Sequence, residues 1–207
     1  MVNKISINDK QLKIISLFLD NYQKRIHLRK IASLLNANHR TISLNIKKLE
    51  KIKIFLAEMV GRNKEFFLNL DNLLSKHFIG LSENYRAVEY LSNNFKMKEI
   101  LKDFEENITP ESSIILFGSR ARGDAKPKSD VDLFILGKLE HKSFINNVES
   151  KTNLKINVKT ATLEEFARGL RARDYLALEI LKSHLVLRNA SLFVNVIWRY
   201  YEKIRHA

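Results

Sequence analysis

The sequence has no cysteine, only two prolines and six glycines, and no long apolar run. Without cysteine the chain can form neither a disulfide nor a thiolate metal site. No apolar run approaches the roughly 20 residues that a membrane span needs, and residues 1–10 lack the apolar core of a signal peptide. These absences predict a cytoplasmic protein with no membrane partner.

Positive charge is concentrated in the first third of the chain. The formal net charge of the 207 residues is +13; residues 1–70 hold 14 Lys or Arg against 5 Asp or Glu, and residues 71–207 hold 22 against 18. A basic first third favours a polyanionic partner, most simply nucleic acid, either RNA or DNA. A lysine-rich surface without such a partner is the alternative.

The hydrophobic pattern of residues 1–70 predicts three short helices and a hairpin. Apolar residues recur at helical spacing in three segments, and two β-type runs around Gly-Arg-Asn-Lys follow them. In chain order these elements are a helix within residues 8–21, a helix at 27–35, an Asn-containing turn at 36–38, a helix at 39–52 and the hairpin at 54–70. This order resembles a winged helix-turn-helix domain.

The winged helix-turn-helix resemblance implies a nucleic-acid interface on the second helix of the motif. In that fold this helix enters the major groove of DNA. The side chains that would contact nucleic acid are His39, Arg40, Ser43 and Lys47. The alternative is a trihelical module for protein contact or dimerisation, which leaves a homodimer open.

Residues 71–107 are predicted to form a helical connector. The apolar residues are spaced for helices throughout, and the pair Asn93-Asn94 marks a break between two of them. The same spacing places Leu73, Val88 and Phe95 on apolar faces. Residues 108–207 then form a second domain.

The stretch LFGSRARGDAKPKSDVDLFIL, residues 116–136, carries the strongest chemical signal. An apolar strand ends at Gly118-Ser119, where close backbone approach, free N–H groups and a hydroxyl can hold phosphate. Arg120 and Arg122 follow at once and can neutralise phosphate charge. This pattern predicts a nucleotide-binding turn.

Two acids stand on the next strand. Asp130 and Asp132 are two residues apart, so on a strand both face one side, while Val131 faces the core. Two carboxylates on one face need a cation between them. Mg²⁺, or Mn²⁺ in its place, takes carboxylate and phosphate oxygens together, which predicts a metal site occupied with an NTP.

Gly118-Ser119 followed by Asp130-Val131-Asp132 resembles the signature of the DNA polymerase β-like nucleotidyltransferase superfamily, and GSRARGDAKPKSDVDL is similar to its minimal nucleotidyltransferases. The resemblance implies an α+β chain with a small mixed sheet flanked by helices in residues 108–207. It also implies that Asp130 and Asp132 are catalytic metal ligands and that Gly118, Ser119, Arg120 and Arg122 bind the nucleotide.

The family uses a third carboxylate from a later neighbouring strand. The candidate strand is LKINVKTA, residues 154–161, where Asn157 occupies the expected place and no acid is present. Glu164, Glu165 or Asp174 are alternatives from elsewhere in the fold. A neutral amide can ligate Mg²⁺ without contributing charge, so we expect weaker activation of the nucleophile and retained nucleotide binding.

The resemblance implies transfer of a nucleoside monophosphate from an NTP to a hydroxyl, with release of pyrophosphate. The basic first third favours RNA as the acceptor, including the 3′ end of tRNA, and a protein hydroxyl, such as that of a toxin partner, comes next. The competing hypothesis is a DNA-binding regulator or antitoxin whose nucleotidyltransferase domain has lost its chemistry, which the missing third acid favours.

Overall fold

A computed structural model describes residues 6–205 of the chain. The chain divides into two compact units, one ending at Tyr85 and the other beginning at Arg86. This boundary falls within a long helix, and each unit is described by itself below. No helix among the described residues is both long and apolar enough to cross a membrane.

The first unit contains the three helices and the hairpin that the sequence predicts. Its three strands form an antiparallel sheet in the order β1-β3-β2. The elements are α1 (Asp9–Ser16), β1 (Ile26–His27), α2 (Leu28–Leu34), α3 (His39–Lys51), β2 (Phe55–Val60) and β3 (Asn63–Leu68). The short strand β1 was not expected from the sequence.

Side-chain caps define the helices of the first unit. Asn8 and Gln11 form a capping box at the start of α1, and the Asn38 side chain accepts a hydrogen bond from the Arg40 N–H at the start of α3. Helix α1 ends at Ser16, earlier than the apolar spacing of residues 8–21 suggested. Phe18, beyond the end of α1, is nevertheless buried and packs against the Phe55 ring at a centroid distance of 4.8 Å.

The predicted helix pair is present as α4 (Leu73–Ser92) and α5 (Phe95–Glu105), with its break at residues 93–94. Leu73, Val88 and Phe95, which the spacing places on apolar faces, are exposed. Helical spacing identifies an apolar stripe but does not say whether a neighbouring element covers it.

The second unit is built on a four-stranded mixed sheet in the order β6-β5-β4-β7. Strands β5 and β6 are parallel, and the other neighbours are antiparallel. The remaining elements in chain order are β4 (Ser113–Phe117), α6 (Gly118–Arg122), β5 (Val131–Leu136), α7 (Phe144–Thr152), β6 (Ile156–Ala161), α8 (Leu163–Ala172), α9 (Tyr175–Lys182), β7 (Leu185–Arg188) and α10 (Ala190–Arg205).

Helices cover both faces of this sheet, which is why β4 and β5 are apolar almost throughout. On one face Ile100 and Phe104 of α5 and Val148 of α7 pack against alternate residues of β4 and β5. On the other face, the Phe134 ring contacts Phe166 of α8. The two predicted acids lie at the start of β5, Asp130 directly before the strand and Asp132 within it.

Candidate active site

The turn from β4 into α6 brings the main chain against an acid of β5. Gly118 has φ +69°, a backbone conformation that side chains disfavour. A Cβ atom at this position would overlap Asp132 Oδ2. Only glycine therefore allows this strand end to approach the carboxylate so closely.

Asp130 and Asp132 converge, and Asn157 lies beside both of them. Asp130 directly precedes β5, Asp132 lies within it, and Asn157 is opposite Asp132 on the parallel neighbour β6. Asn157 Nδ2 donates to Asp130 Oδ2 at 3.2 Å and to Asp132 Oδ1 at 2.9 Å. The three polar side chains form one cluster at the end of β5 and β6.

Positive groups offset the charge of this cluster only in part. Lys155 Nζ lies 3.9 Å from Asp130 Oδ2, but its side chain is 70% exposed and that of Asp130 is 41% exposed. A pair this open to solvent contributes little, of the order of 0–1 kcal/mol. The Asn157 amide is therefore the main group that holds the two carboxylates together.

The other acids considered for the third position have different partners. Glu165 accepts hydrogen bonds from the Thr162 N–H and hydroxyl at the start of α8, and these bonds lower the pKa of the Glu165 carboxyl. Asp174 accepts from the Ala177 N–H at the start of α9. Glu164 lines a groove between α8 and α10 with Arg171. Among residues 6–205, no group of three His, Asp or Glu side chains is arranged to hold a metal ion.

The donor set of the cluster nevertheless fits a hard divalent cation. Two carboxylates and one amide can supply oxygen ligands, which Mg²⁺ and Mn²⁺ prefer. Rotation of the terminal amide of Asn157 by half a turn would present its oxygen in place of Nδ2. The close approach of Gly118 leaves the main chain of the nucleotide-binding turn beside Asp132.

The three side chains after Gly118 differ in their surroundings. No hydrogen bond from the described part of the chain reaches the Ser119 hydroxyl, which is half-buried beside Gly118. Arg120 donates to the carbonyl groups of Ser129 and Asp130. Arg122 is exposed and donates hydrogen bonds to Asp124 and Glu179. These bonds raise the pKa of its guanidinium, and the bond to Asp124 has the larger effect. The phosphate-binding roles of these residues remain predictions.

A separate groove of about 500 Å³ lies in the first unit, between α2, α3 and the hairpin. His39, Ser43 and Lys47 line it at intervals of four residues along α3, whereas Arg40 does not. Arg29 and Arg62, which the sequence did not single out, also line it. The sequence signal that was available is the basic residue in the hairpin turn Gly-Arg-Asn-Lys.

The cations of this groove are largely uncompensated. Lys64 pairs with Glu50 at 2.8 Å, and both residues line the groove. In residues 6–205 no acid forms an ion pair with Arg29, Lys47 or Arg62. The groove is therefore a positively charged depression beside α3.

The mixed sheet, the Gly-Ser turn and the acidic cluster together define a nucleotidyltransferase fold. Residues 97–189 match the family model described as "Nucleotidyltransferase domain". A protein of Methanocaldococcus jannaschii, named "Putative protein adenylyltransferase MJ0141", is 39% identical in an alignment of 69 residues that covers 29% of this chain and 70% of that protein. The chain belongs to the nucleotidyltransferase family, which confirms the resemblance to the polymerase β-like enzymes.

A solved structure was also matched. A crystal structure of a toxin-antitoxin with AMP-PNP is 14% identical to this chain, with a TM-score of 0.33, over 53% of this chain and 91% of that one.

Proposed function

We propose that the protein transfers a nucleoside monophosphate, with AMP as the first candidate, from an NTP to a hydroxyl of an acceptor protein. The observation that carries this proposal is the cluster of Asp130, Asp132 and Asn157 directly beside the Gly118 turn. In the reaction the acceptor hydroxyl gives up its proton to solvent and its oxygen bonds to the α-phosphorus. The bond from the α-phosphorus to the α,β-bridging oxygen breaks, and pyrophosphate leaves.

Each group of the cluster has a role in this proposal. Asp130 and Asp132 hold Mg²⁺ or Mn²⁺, and Asn157 offers its amide oxygen as a third, uncharged ligand. When bound, the metal supplies charge neutralisation for the triphosphate. The Gly118 main chain and the Ser119 hydroxyl contact the phosphates, since the hydroxyl has no hydrogen-bond partner within residues 6–205.

The choice of acceptor rests on the relative. The protein that is 39% identical over 69 residues is named as a protein adenylyltransferase. That name favours a protein hydroxyl over the RNA that the basic first third of the chain favours. A protein such as a toxin partner of this chain is one such acceptor.

A labelling experiment tests the proposal. Each α-³²P NTP is offered with Mg²⁺ to total protein and, separately, to total RNA of a cell extract. We expect label from ATP in the protein fraction with the wild type and none with Asp130→Ala/Asp132→Ala. Arg199→Ala, on the exposed side of α10, is the matched control. Label in RNA would instead support the acceptor that the charge of the chain favours.

A second function is favoured by the groove of the first unit. We infer that this unit is a winged helix-turn-helix that binds duplex DNA, with α3 in the major groove and the hairpin turn beside it. Its support is the set of cations without acidic partners, Arg29, Lys47 and Arg62, together with His39 and Ser43 on the same side of α3. Arg40 does not line the groove, so in this arrangement it would contact at most the sugar-phosphate backbone of the DNA.

Salt dependence tests this binding. Duplex affinity should fall steeply with salt, and each phosphate contact contributes about −0.9 to the slope of log K against log salt. Lys47→Glu/Arg62→Glu should weaken binding and reduce the slope by about two, whereas Lys48→Glu, an exposed α3 residue outside the groove, should change both less. Equal loss in the two variants would show that net charge, and not this groove, determines binding.

The two functions also define the competing regulator hypothesis. If nucleotide binds but no fraction is labelled, Asn157 in place of a carboxylate has removed the chemistry. The protein would then act as a DNA-binding regulator or antitoxin with a non-catalytic nucleotidyltransferase domain. Duplex binding without transfer supports that hypothesis, and transfer without duplex binding excludes it.

A further inference from the structure

The Arg120 side chain is bonded to the main chain that leads into the first acid. Its Nε donates to Ser129 O at 3.2 Å and to Asp130 O at 3.1 Å, and a terminal nitrogen donates to Ser129 O at 2.6 Å. A guanidinium donates from a planar, rigid fork. Two successive carbonyl groups are thus held by one side chain from ten residues earlier.

The two acids differ in how the fold fixes them. Asp132 lies inside β5, paired with Phe117 on one side and with Asn157 on the other. Asp130 lies before the strand begins, and there the main chain is held by Arg120 and by the bond from Val131 N–H to Lys155 O, 2.8 Å long. Without Arg120, one of these two constraints on Asp130 is lost.

The three bonds to carbonyl groups use Nε and one terminal nitrogen of Arg120, so much of its donor capacity faces the main chain and not an outside ligand. Tyr90, near the end of α4, is half-buried against the core of the second unit. Burial raises the pKa of the Tyr90 phenol, and the nearby charge of Arg120 opposes this shift without cancelling it.

We propose that Arg120 is a positioning residue that fixes Asp130 for metal binding, and not a phosphate ligand. This inference rests on the proposed metal-dependent function and names a residue that prepares its site. It revises the role that the sequence predicts for Arg120.

Positioning and phosphate binding predict different results for a lysine at this position. Lysine keeps the positive charge but lacks the rigid fork that reaches two carbonyl groups. If Arg120 neutralises phosphate, Arg120→Lys should retain most of the nucleotide affinity. If it positions Asp130, Arg120→Lys should weaken metal binding as much as Arg120→Ala does. Residues that hold the metal ligands in place typically contribute about 10–100-fold to metal affinity.

The experiment measures Mn²⁺ binding to the full chain by the EPR signal of free Mn²⁺, and ATP binding by calorimetry in EDTA. We expect Arg120→Ala and Arg120→Lys each to raise the Mn²⁺ Kd about tenfold and to leave the metal-free ATP Kd within about twofold. Arg199→Ala should change neither constant.

Other outcomes overturn the proposal. If the Mn²⁺ Kd is unchanged in both Arg120 variants, Arg120 does not position Asp130. If Arg120→Ala raises the ATP Kd in EDTA and Arg120→Lys keeps the wild-type value, Arg120 is assigned to the phosphates. If Arg120→Ala does not fold, Arg120→Lys still decides the question. Wild-type protein that binds Mn²⁺ but transfers no label contradicts the proposed function alone, and wild-type protein that binds Mn²⁺ neither by itself nor with ATP overturns both.

Discussion

Replacement of Asn157 by aspartate should make the fold depend on a divalent cation. In the wild type the Asn157 amide donates two hydrogen bonds to carboxylates, at 2.9 and 3.2 Å. Bonds to charged groups contribute about 1.5–3 kcal/mol each, and the partial exposure of Asp130 favours the lower value, so their loss costs about 3 kcal/mol. Repulsion between the introduced carboxylate and each acid adds about 1 kcal/mol per pair even in a water-like dielectric.

The total of about 5 kcal/mol corresponds to a fall in Tm of roughly 10–20 °C for a chain of this length in EDTA. Trp198, the single tryptophan of the chain, is buried in the second unit, and its fluorescence reports the unfolding of that unit. Millimolar Mg²⁺ should restore most of the loss, because three carboxylates bind the ion more tightly than two carboxylates and an amide.

A control variant and the pH dependence of stability test the same reasoning. Asn157→Ala loses the two hydrogen bonds without adding charge, so its Tm should fall less and Mg²⁺ should restore less of it. Crowding of like charges raises the folded-state pKa of a carboxyl, so Asn157→Asp in EDTA should lose stability as pH rises through that raised pKa. This account of the site is refuted if Asn157→Asp has the same Tm as the wild type in EDTA. It is also refuted if Mg²⁺ raises the Tm of Asn157→Asp no more than that of Asn157→Ala.

Three further predictions concern the surroundings of the site. Gly118→Ala should cost more than about 1 kcal/mol and weaken Mn²⁺ binding, because the added Cβ overlaps Asp132 at positive φ; calorimetry and thermal melts measure both. The hydrogen bonds from Thr162 lower the pKa of Glu165, so they stabilise α8 at pH values above the unfolded-state pKa. This stabilisation is lost as pH falls through the folded-state pKa. Thr162→Ala should therefore reduce the pH dependence of Tm between about pH 5 and 3. Phe193→Ala, at a fully buried ring beside Phe166, should cost about 3–5 kcal/mol by urea unfolding.

Elements covered on both sides were the easiest to predict. The runs SIILF and VDLFIL are nearly uninterrupted apolar segments because helices pack on both faces of β4 and β5. Helix α7 was missed because its sequence, FINNVESKT, buries only Val148 and Thr152. With one buried apolar residue in nine, this short helix has too few apolar positions to define a helical period.

The two acids of the cluster could be predicted from strand periodicity, but the bonds that Arg120 makes behind them could not. Alternation along β5 is enough to bring Asp130 and Asp132 to one side. The place of Asn157 followed from the family resemblance, and the register of β6 against β5 came only from the structure. The bonds from Arg120 to carbonyl groups depend on the path of the loop at residues 123–129, which no periodic pattern encodes. For the same reason Arg62 could not be assigned to the groove of the first unit before the hairpin was placed beside α3.

Asn157 has opposite effects on the two states of the site. Without metal it satisfies both carboxylates, so Asp130 and Asp132 need no cation for folding. With metal it contributes no charge, so two acids alone provide the electrostatic attraction for a free ion. We therefore expect the metal to bind weakly by itself and much more tightly as its NTP complex, since the triphosphate supplies the negative oxygens that Asn157 does not. The affinity for Mn²⁺ should rise strongly when ATP is present, and in Asn157→Asp this dependence on ATP should decrease.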